Sequence, residues 1–400
     1  MTRTGPLTGM RVIELAHIMA GPVCGLMLAD MGADVVKVEK PDGDDTRRQV
    51  PPTVNGESAA FMIMNRNKRG IALDLKTDNG KKVLRKLLED ADVVTENYRH
   101  DTMQKLGVGY EDLKKVNPGL IYCAISGFGR TGPYAERGGF DLIAQGMSGL
   151  MSFTGEGPGR PPCKVGAPVT DITAGILAAL GVVSAYVHKL KTGEGQIVDT
   201  SLFEAGIVHT YWQSAIALAT GVAPGPMGSA HPLNGPYQAF ETKDGWITIG
   251  AANQRNWERL LDAMECPEFN DDPRFGTNID RMANLKALED VLTPVFKMRT
   301  KDEWLDRLEK AGVPAGPVMD VCEMFEDPHA QARDMIPTVE HAKLGPVRTL
   351  GLPIKLSATP GKVATGAPLF GQHTEDVLKE YGFDTDEIRT FIGEGAIAVP

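Results

Sequence analysis

The sequence predicts an α/β fold: a parallel, doubly wound sheet with a second, smaller domain. Three observations carry this. Short apolar runs alternate with helical patterns through the N-terminal half. RVIELA (11–16), PVCGLMLADMG (22–32) and DVVKVEKP (34–41) make a compact βαβ unit. A Gly/Pro-rich stretch at 219–236 is followed by a hairpin and several helices, the pattern of a separate folding unit.

Each element follows in order. RVIELA reads as a buried strand, and the helix after it has a proline near its start and Gly32 at its end. DVVKVEKP is a second buried strand, stopped by proline. After a polar stretch at 42–60 comes FMIMNRNKRGIALDL, then a helix from Asn79 to Asp90. DVVTENY (92–98) and LIYCAISGFG (120–129) are further strands with a helical segment between them. The segment 171–191 is a long, nearly uncharged helix, apolar all round, and is expected to be buried on most sides. YQAFETKDGWITIGA reads as a hairpin with a Lys-Asp-Gly turn, and helical segments follow to about 312. From about 345 short apolar runs return, ending in a helix near 373–381.

Composition narrows the function. The chain has 400 residues, too many for one ordinary domain, and a net charge of -10, which disfavours nonspecific nucleic-acid binding. The charge is uneven. Residues 1–150 carry 20 Lys/Arg and 19 Asp/Glu; the rest carry 22 and 33. An anionic ligand is therefore sought in the first 150 residues. The five cysteines (Cys24, Cys123, Cys163, Cys266, Cys322) form no CxxC or zinc-type spacing, so no metal is expected. The N-terminus has no signal-peptide pattern, and no run of 18 uncharged apolar residues suggests a membrane span. A cytoplasmic protein is expected.

Several stretches could carry chemistry. Glu39 ends the second strand, where dinucleotide-binding folds place a ribose-binding acid. The preceding loop has only Gly21 and Gly25, no G-x-G-x-x-G, and Lys40 suits a phosphate better. NRNKRG (65–70) clusters three cations, either a solvated turn or a dock for a phosphate-bearing ligand. ENYRHDTMQKLG (96–107) offers Asn97, Tyr98, Arg99 and Lys105. A ring flanked by cations at a strand's carboxyl end suits an adenine nucleotide. In VGAPVTDITAGILAALG (165–181) one acid, Asp171, stands between a Pro-containing turn and an apolar helix, where it reads as an N-cap.

Taken together, PLTGMRVIELAHIMAGPVCGLMLADMGADVVKVEKP, NRNKRGIALDLK, DVVTENYR, ISGFGRTGPY, VTDITAG and LFGQHTEDVL resemble the class III CoA-transferases, the formyl-CoA transferase and CaiB/BaiF group. The resemblance implies a Rossmann-like large domain, a smaller inserted α+β domain and an interlocked homodimer. It places the large domain at 1–218, a linker or lid at 219–236, the small domain at 237–330 and a return to the large domain at 331–400. CoA and acyl-CoA are then substrates; no tightly bound cofactor, nucleic acid or membrane is implied.

The family's nucleophile is an aspartate after a short turn at a helix start, and Asp171 matches it. The implied route runs through an aspartyl–acyl anhydride and an aspartyl-CoA thioester. A helix N-terminus is expected to keep Asp171 ionised and to offer N–H groups to a developing oxyanion. The CoA contacts carried over are Met19 and Ala20, Lys40, Leu73, Asp74, Leu75 and Lys76, Asn97, Tyr98 and Arg99, Lys105, and Gly139, Phe140 and Asp141. Formyl-CoA transferase has a run of glycines where this chain has SAHPLNG (229–235), which puts oxalate chemistry in doubt. The related α-methylacyl-CoA racemases use a histidine where this chain has Phe140, a residue that cannot exchange protons. SAHPLNGPYQAFETKDGW and AGVPAGPV look most like the succinyl-CoA:glutarate branch, with His17 and His231 as candidate anchors for a second carboxylate. Three readings stand: a dicarboxylate CoA-transferase, a racemase or epimerase, and a non-catalytic CoA-binding subunit.

Overall fold

The computed structural model describes residues 4–49 and 51–400. The chain forms two compact units. The first takes the chain as far as Leu150, then Val165–Thr210 and Pro328–Pro400; the second holds Met151–Lys164 and Tyr211–Asp327. The helix Tyr211–Thr220 and the 219–236 stretch thus fall in the second unit.

The first unit is built on a parallel sheet of six strands: β1 (Arg11–Glu14), β2 (Asp34–Glu39), β3 (Arg69–Leu73), β4 (Val93–Glu96), β5 (Ile121–Ser126) and β6 (Ile197–Ser201). Their order is β3-β2-β1-β4-β5-β6, and Ile397–Ala398 adds an antiparallel strand beyond β3. Register aligns Ile13 with Val36 on one side and Val94 on the other. Side chains alternate between two cores. Ile13, Val36, Ile71 and Val94 join Val83, Leu84 and Leu87 of the helix Asp78–Glu89. Val12, Val35, Val93 and Ile121 face the other way, toward α1 (Ala20–Asp30) and the helix Val169–Thr192. With both faces covered, the strands read as continuous apolar runs rather than alternating ones. The C-terminal strand went unforeseen because two residues carry no periodicity.

Three later helices frame the site: α2 (Asp141–Met147), α3 (Val169–Thr192) and α4 (Leu202–Val208), which follows β6. Ala174, Ala178 and Val182 of α3 pack on the α1 side of the sheet. Small residues permit the approach: a Cβ on Gly175 would lie 2.6 Å from the Ala20 carbonyl oxygen. The helix ends at Gly193, whose φ of 80° suits glycine. The expectation that α3 is buried on most sides is corrected. Leu180 is 62% exposed and Leu190 69%, with Ile176 and Val187 open on the same helix. By length and composition α3 could cross a membrane, yet its other face packs in this core.

The second unit contains a three-stranded antiparallel sheet: Tyr237–Glu241, Trp246–Gly250 and Ala315–Pro317. Its core gathers Phe240, Ile247, Trp257, Phe275, Phe296 and Trp304. Trp304 donates its indole N–H to the Phe296 carbonyl (2.7 Å), satisfying the one polar atom of a buried ring.

Candidate active site

Parallel topology puts every strand's carboxyl end on one edge, and the strand order reverses between β1 and β4. Ligands of open α/β sheets bind outside such a reversal. The loops that leave this edge hold most of the expected CoA contacts. Met19 and Ala20 follow β1, Lys40 follows β2, Asp74 to Lys76 follow β3, and Asn97 to Arg99 follow β4. Gly139 joins them because its backbone packs on Gly127, just after β5: a Cβ on Gly139 would lie 2.5 Å from the Gly127 Cα. Asn97 stitches across the reversal. The His17 N–H donates to Asn97 Oδ1 (2.9 Å), and the Asn97 amide donates back to the His17 carbonyl (2.8 Å).

The individual contacts differ in what they can offer. Leu73 is 1% exposed in the core, so its side chain has no access to a ligand. Leu75 is half-buried against the same core, while Asp74 Oδ1 accepts the Lys76 N–H (2.9 Å) and shapes the turn. Lys76 and Arg99 are exposed. Lys40 is exposed but pairs with Asp45 (2.7 Å), and Lys105 pairs with Asp101. Tyr98 is held by its N–H, which donates to Glu96 Oε2 (2.8 Å). Phe140 is 78% exposed at the start of α2.

Asp171 lies in the first turn of α3, but not at its cap. Pro168 occupies the cap position and makes no side-chain capping bond, so the N-cap expectation is corrected. Capping comes from another helix instead. Asp141 Oδ1 accepts both the Thr170 N–H (3.0 Å) and the Thr170 hydroxyl (2.8 Å). Gln145, four residues along α2, donates to Asp141 Oδ2 (2.7 Å) and accepts the Val165 N–H (2.9 Å). These two side chains hold the whole turn 165–170 and leave Asp171 free of capping duty. Asp171 and Gly175 are four apart and share a helix face, so the carboxyl points toward the side on which α1 begins.

Among the described residues the Asp171 carboxylate has no hydrogen-bond or ion-pair partner. Burial, and then the nearby Asp141 charge, push its pKa up to about 7. The expectation was that the helix N-terminus keeps Asp171 ionised; burial and the Asp141 charge instead favour the protonated form.

Two other expectations change. The NRNKRG stretch is no phosphate dock. Arg66, Asn67 and Lys68 are buried: Arg66 is neutralised by Asp30 (2.5 Å) and Lys68 by Glu14 (2.8 Å), the Asn67 amide donates to Asp30 (2.7 Å), and Arg69 pairs with Asp34 (2.7 Å). His17 is a poor cationic anchor, because burial lowers its pKa against the pull of Asp44. Its ring lies 5.7 Å from that of Tyr98. His231 belongs to the second unit, where it stacks on Tyr237 at 5.1 Å and accepts the Leu233 N–H at Nδ1 (3.1 Å).

Sequence reasoning missed Gln145, Thr170 and the charges beneath the β1 loop. Asp141 and Gln145 stand four apart on a helix, a pairing that spacing alone could have suggested. Beneath the loop, Lys37 pairs with Asp44 (2.8 Å) and with Glu14 (3.2 Å). Burial alone would raise the Asp44 carboxyl, but Lys37 and the Thr46 hydrogen bonds hold it well below the usual range. Among the described residues no group of three or more His, Cys, Asp or Glu is placed to hold a metal ion.

A family description, CoA-transferase family III, matches residues 7–374. The chain is 41% identical over 385 residues to the succinate–glutarate CoA-transferase of Agrobacterium fabrum, covering 94% of this chain and 96% of that one. It is 40% identical over 394 residues to the succinyl-CoA:mesaconate CoA-transferase of Haloarcula hispanica, covering 95% and 98%. A crystal structure of a CaiB/BaiF family protein from Brucella suis superposes with a TM-score of 0.86 at 40% identity, covering 95% of this chain and 100% of that one. A doubly wound sheet with an unpartnered carboxylate in the first turn of α3 and a match along nearly the whole length agree: the chain belongs to CoA-transferase family III and is a CoA-transferase.

Proposed function

We propose that this enzyme moves CoA from a dicarboxylic acyl-CoA, succinyl-CoA foremost, to a second carboxylic acid, with Asp171 as nucleophile. One observation carries the reading. Asp171 is an unpartnered, partly buried carboxylate with a pKa near 7, held at a helix start by Asp141 and Gln145. An ordinary carboxylate is a weak nucleophile. Raising its basicity strengthens it while leaving it mostly ionised above pH 7.

An Asp171 oxygen attacks the thioester carbonyl, the C–S bond breaks and CoA thiolate leaves, giving a mixed anhydride. The thiolate attacks the Asp171 carbonyl, releasing the donor acid and leaving an aspartyl-CoA thioester. The acceptor carboxylate attacks that thioester and the thiolate leaves again. The thiolate finally attacks the acceptor's acyl carbonyl, forming the new acyl-CoA and restoring Asp171. Met19, Ala20, Lys40, Asp74 to Lys76, Asn97 to Arg99, Lys105 and Gly139 to Asp141 serve as CoA contacts in this reading, with Leu73 limited to its backbone.

Relatives named for glutarate and mesaconate support a dicarboxylate acceptor. The open apolar residues of α3, with Leu142, Ile143 and Met147 of α2, support a homodimer in which a second copy covers them. Five free thiols suit a reducing cytoplasm. Phe140 argues against racemisation. The test is incubation with succinyl-CoA and a panel of acids (glutarate, mesaconate, oxalate and monocarboxylates) in deuterated buffer, followed by mass spectrometry. New dicarboxyl-CoA with an unlabelled α-position is expected. Transfer to monocarboxylates alone would remove the dicarboxylate assignment, and α-deuteration without an acceptor would remove the transferase reading.

A further inference from the structure

The turn between β1 and α1 contains a conflict between residue and backbone. Ile18 has φ 66°, in the left-handed region that a β-branched residue avoids. Its side chain is 38% exposed, so deep burial does not explain the residue's conformation. Such strain persists only where surrounding structure over-determines it, and it is concentrated at functional sites.

Ala16, His17 and Ile18 are each held from outside the turn. The Lys37 ammonium donates to the Ala16 carbonyl (2.8 Å). Asn97 grips both backbone groups of His17 (2.9 and 2.8 Å). The Ile18 N–H donates to Asp44 Oδ1 (3.3 Å). Asp44 is itself fixed by the Lys37 pair (2.8 Å) and by the Thr46 N–H and hydroxyl (2.9 and 2.8 Å). Immediately after the strained residue come Met19 and Ala20, and the Ala20 carbonyl packs on Gly175, one helical turn from Asp171.

We propose that the buried Lys37–Asp44 pair is a clamp that keeps Ile18 left-handed, so that the β1–α1 turn sets Met19 and Ala20 against the face of α3 that carries Asp171. Asp44 and Ile18 are positioning residues for CoA transfer. The inference rests on the nucleophile reading above and adds two residues that act through the backbone of the turn.

Glycine adopts φ 66° without steric cost, which supplies a test. Asp44→Ala removes the acceptor that holds Ile18. It is expected to lower kcat tenfold or more, with KM for acyl-CoA changing less. The double variant Asp44→Ala/Ile18→Gly is expected to recover several-fold of the lost kcat, because the turn no longer needs clamping. A merely structural role for the ion pair predicts no such rescue. Separately, Ile18→Asn, a residue that tolerates this region, is expected to raise the Tm. A double variant no faster than Asp44→Ala, an Asp44→Ala enzyme as fast as the wild type, or an Ile18→Asn protein with an unchanged or lower Tm would overturn the proposal. If Asp44→Ala does not fold, the Ile18→Asn measurement decides alone. Wild-type and Asp171→Ala exchange, measured alongside, report separately on the nucleophile reading.

Discussion

Replacing Asp171 with asparagine should abolish exchange and, at neutral pH and above, stabilise the fold. An ordinary aspartate carboxyl titrates at 3.8, and burial in the folded protein raises Asp171 to about 7. A group whose pKa is raised by folding favours the native state while protonated. That contribution is fully present below 3.8 and is lost as pH rises through about 7. Three pKa units correspond to a ceiling of about 4 kcal/mol. Asp171 is only partly buried, so solvent screening reduces this to on the order of 1–2 kcal/mol. Asparagine keeps the shape and carries no charge, so it escapes the penalty. Urea unfolding of both proteins at one fixed concentration, from pH 4 to pH 8.5, measures the difference. The curves should coincide near pH 4 and separate steadily above pH 5, with the variant more stable. At pH 8, where the wild-type carboxylate is mostly ionised, its exchange rate should be at least about a hundredfold below the wild type, a barrier increase of roughly 2.7 kcal/mol. A stability difference that does not vary with pH would refute the argument that the site holds a costly, desolvated carboxylate.

Other outcomes follow from the same geometry. Wild-type kcat/KM should rise with pH through about 7 as Asp171 ionises, and a flat profile between pH 5.5 and 8.5 would contradict the raised pKa. Gln145→Leu leaves Asp141 Oδ2 and the Val165 N–H without their partner, and should cost about 1–3 kcal/mol of stability in denaturant titrations. Glu14→Ala removes the carboxylate paired with the buried Lys68 ammonium and leaves Lys37 to Asp44 alone, and should cost about 3–5 kcal/mol or prevent folding, read by circular dichroism and soluble yield. CoA affinity should weaken several-fold between low and high salt, because Lys40, Lys76, Arg99 and Lys105 are exposed to ions screened over roughly 8 Å at physiological strength; calorimetry checks this.

How much of this was legible beforehand depends on the kind of residue. The strands declared themselves, because a sheet covered on both faces needs runs such as RVIEL and DVVKV. The ordered motifs single out Asp171, Asn97 and Met19, and the fold sets the last two in the loops after β4 and β1. The buried charges did not declare themselves. Lys37, Lys68 and Arg66 have the composition of a solvated surface, and only tertiary pairing with Asp44, Glu14 and Asp30 takes them inside. The first turn of α3 was misread for a related reason. An Asp before an apolar run looks like a cap, but Asp141, distant in sequence, caps the helix across space. Nor could the pattern 171–191 reveal which face of an all-apolar helix stays open; that depends on how α1 and the sheet divide it.

The central claim is a covalent bond between CoA and Asp171. Intact-protein mass spectrometry after brief mixing with succinyl-CoA, without acceptor, tests it most directly, followed by peptide mapping and hydroxylamine treatment. The account expects a CoA-sized adduct on the peptide carrying Asp171, removed by hydroxylamine and absent from Asp171→Asn. Full turnover with no adduct, or an adduct mapped to another residue, would contradict it.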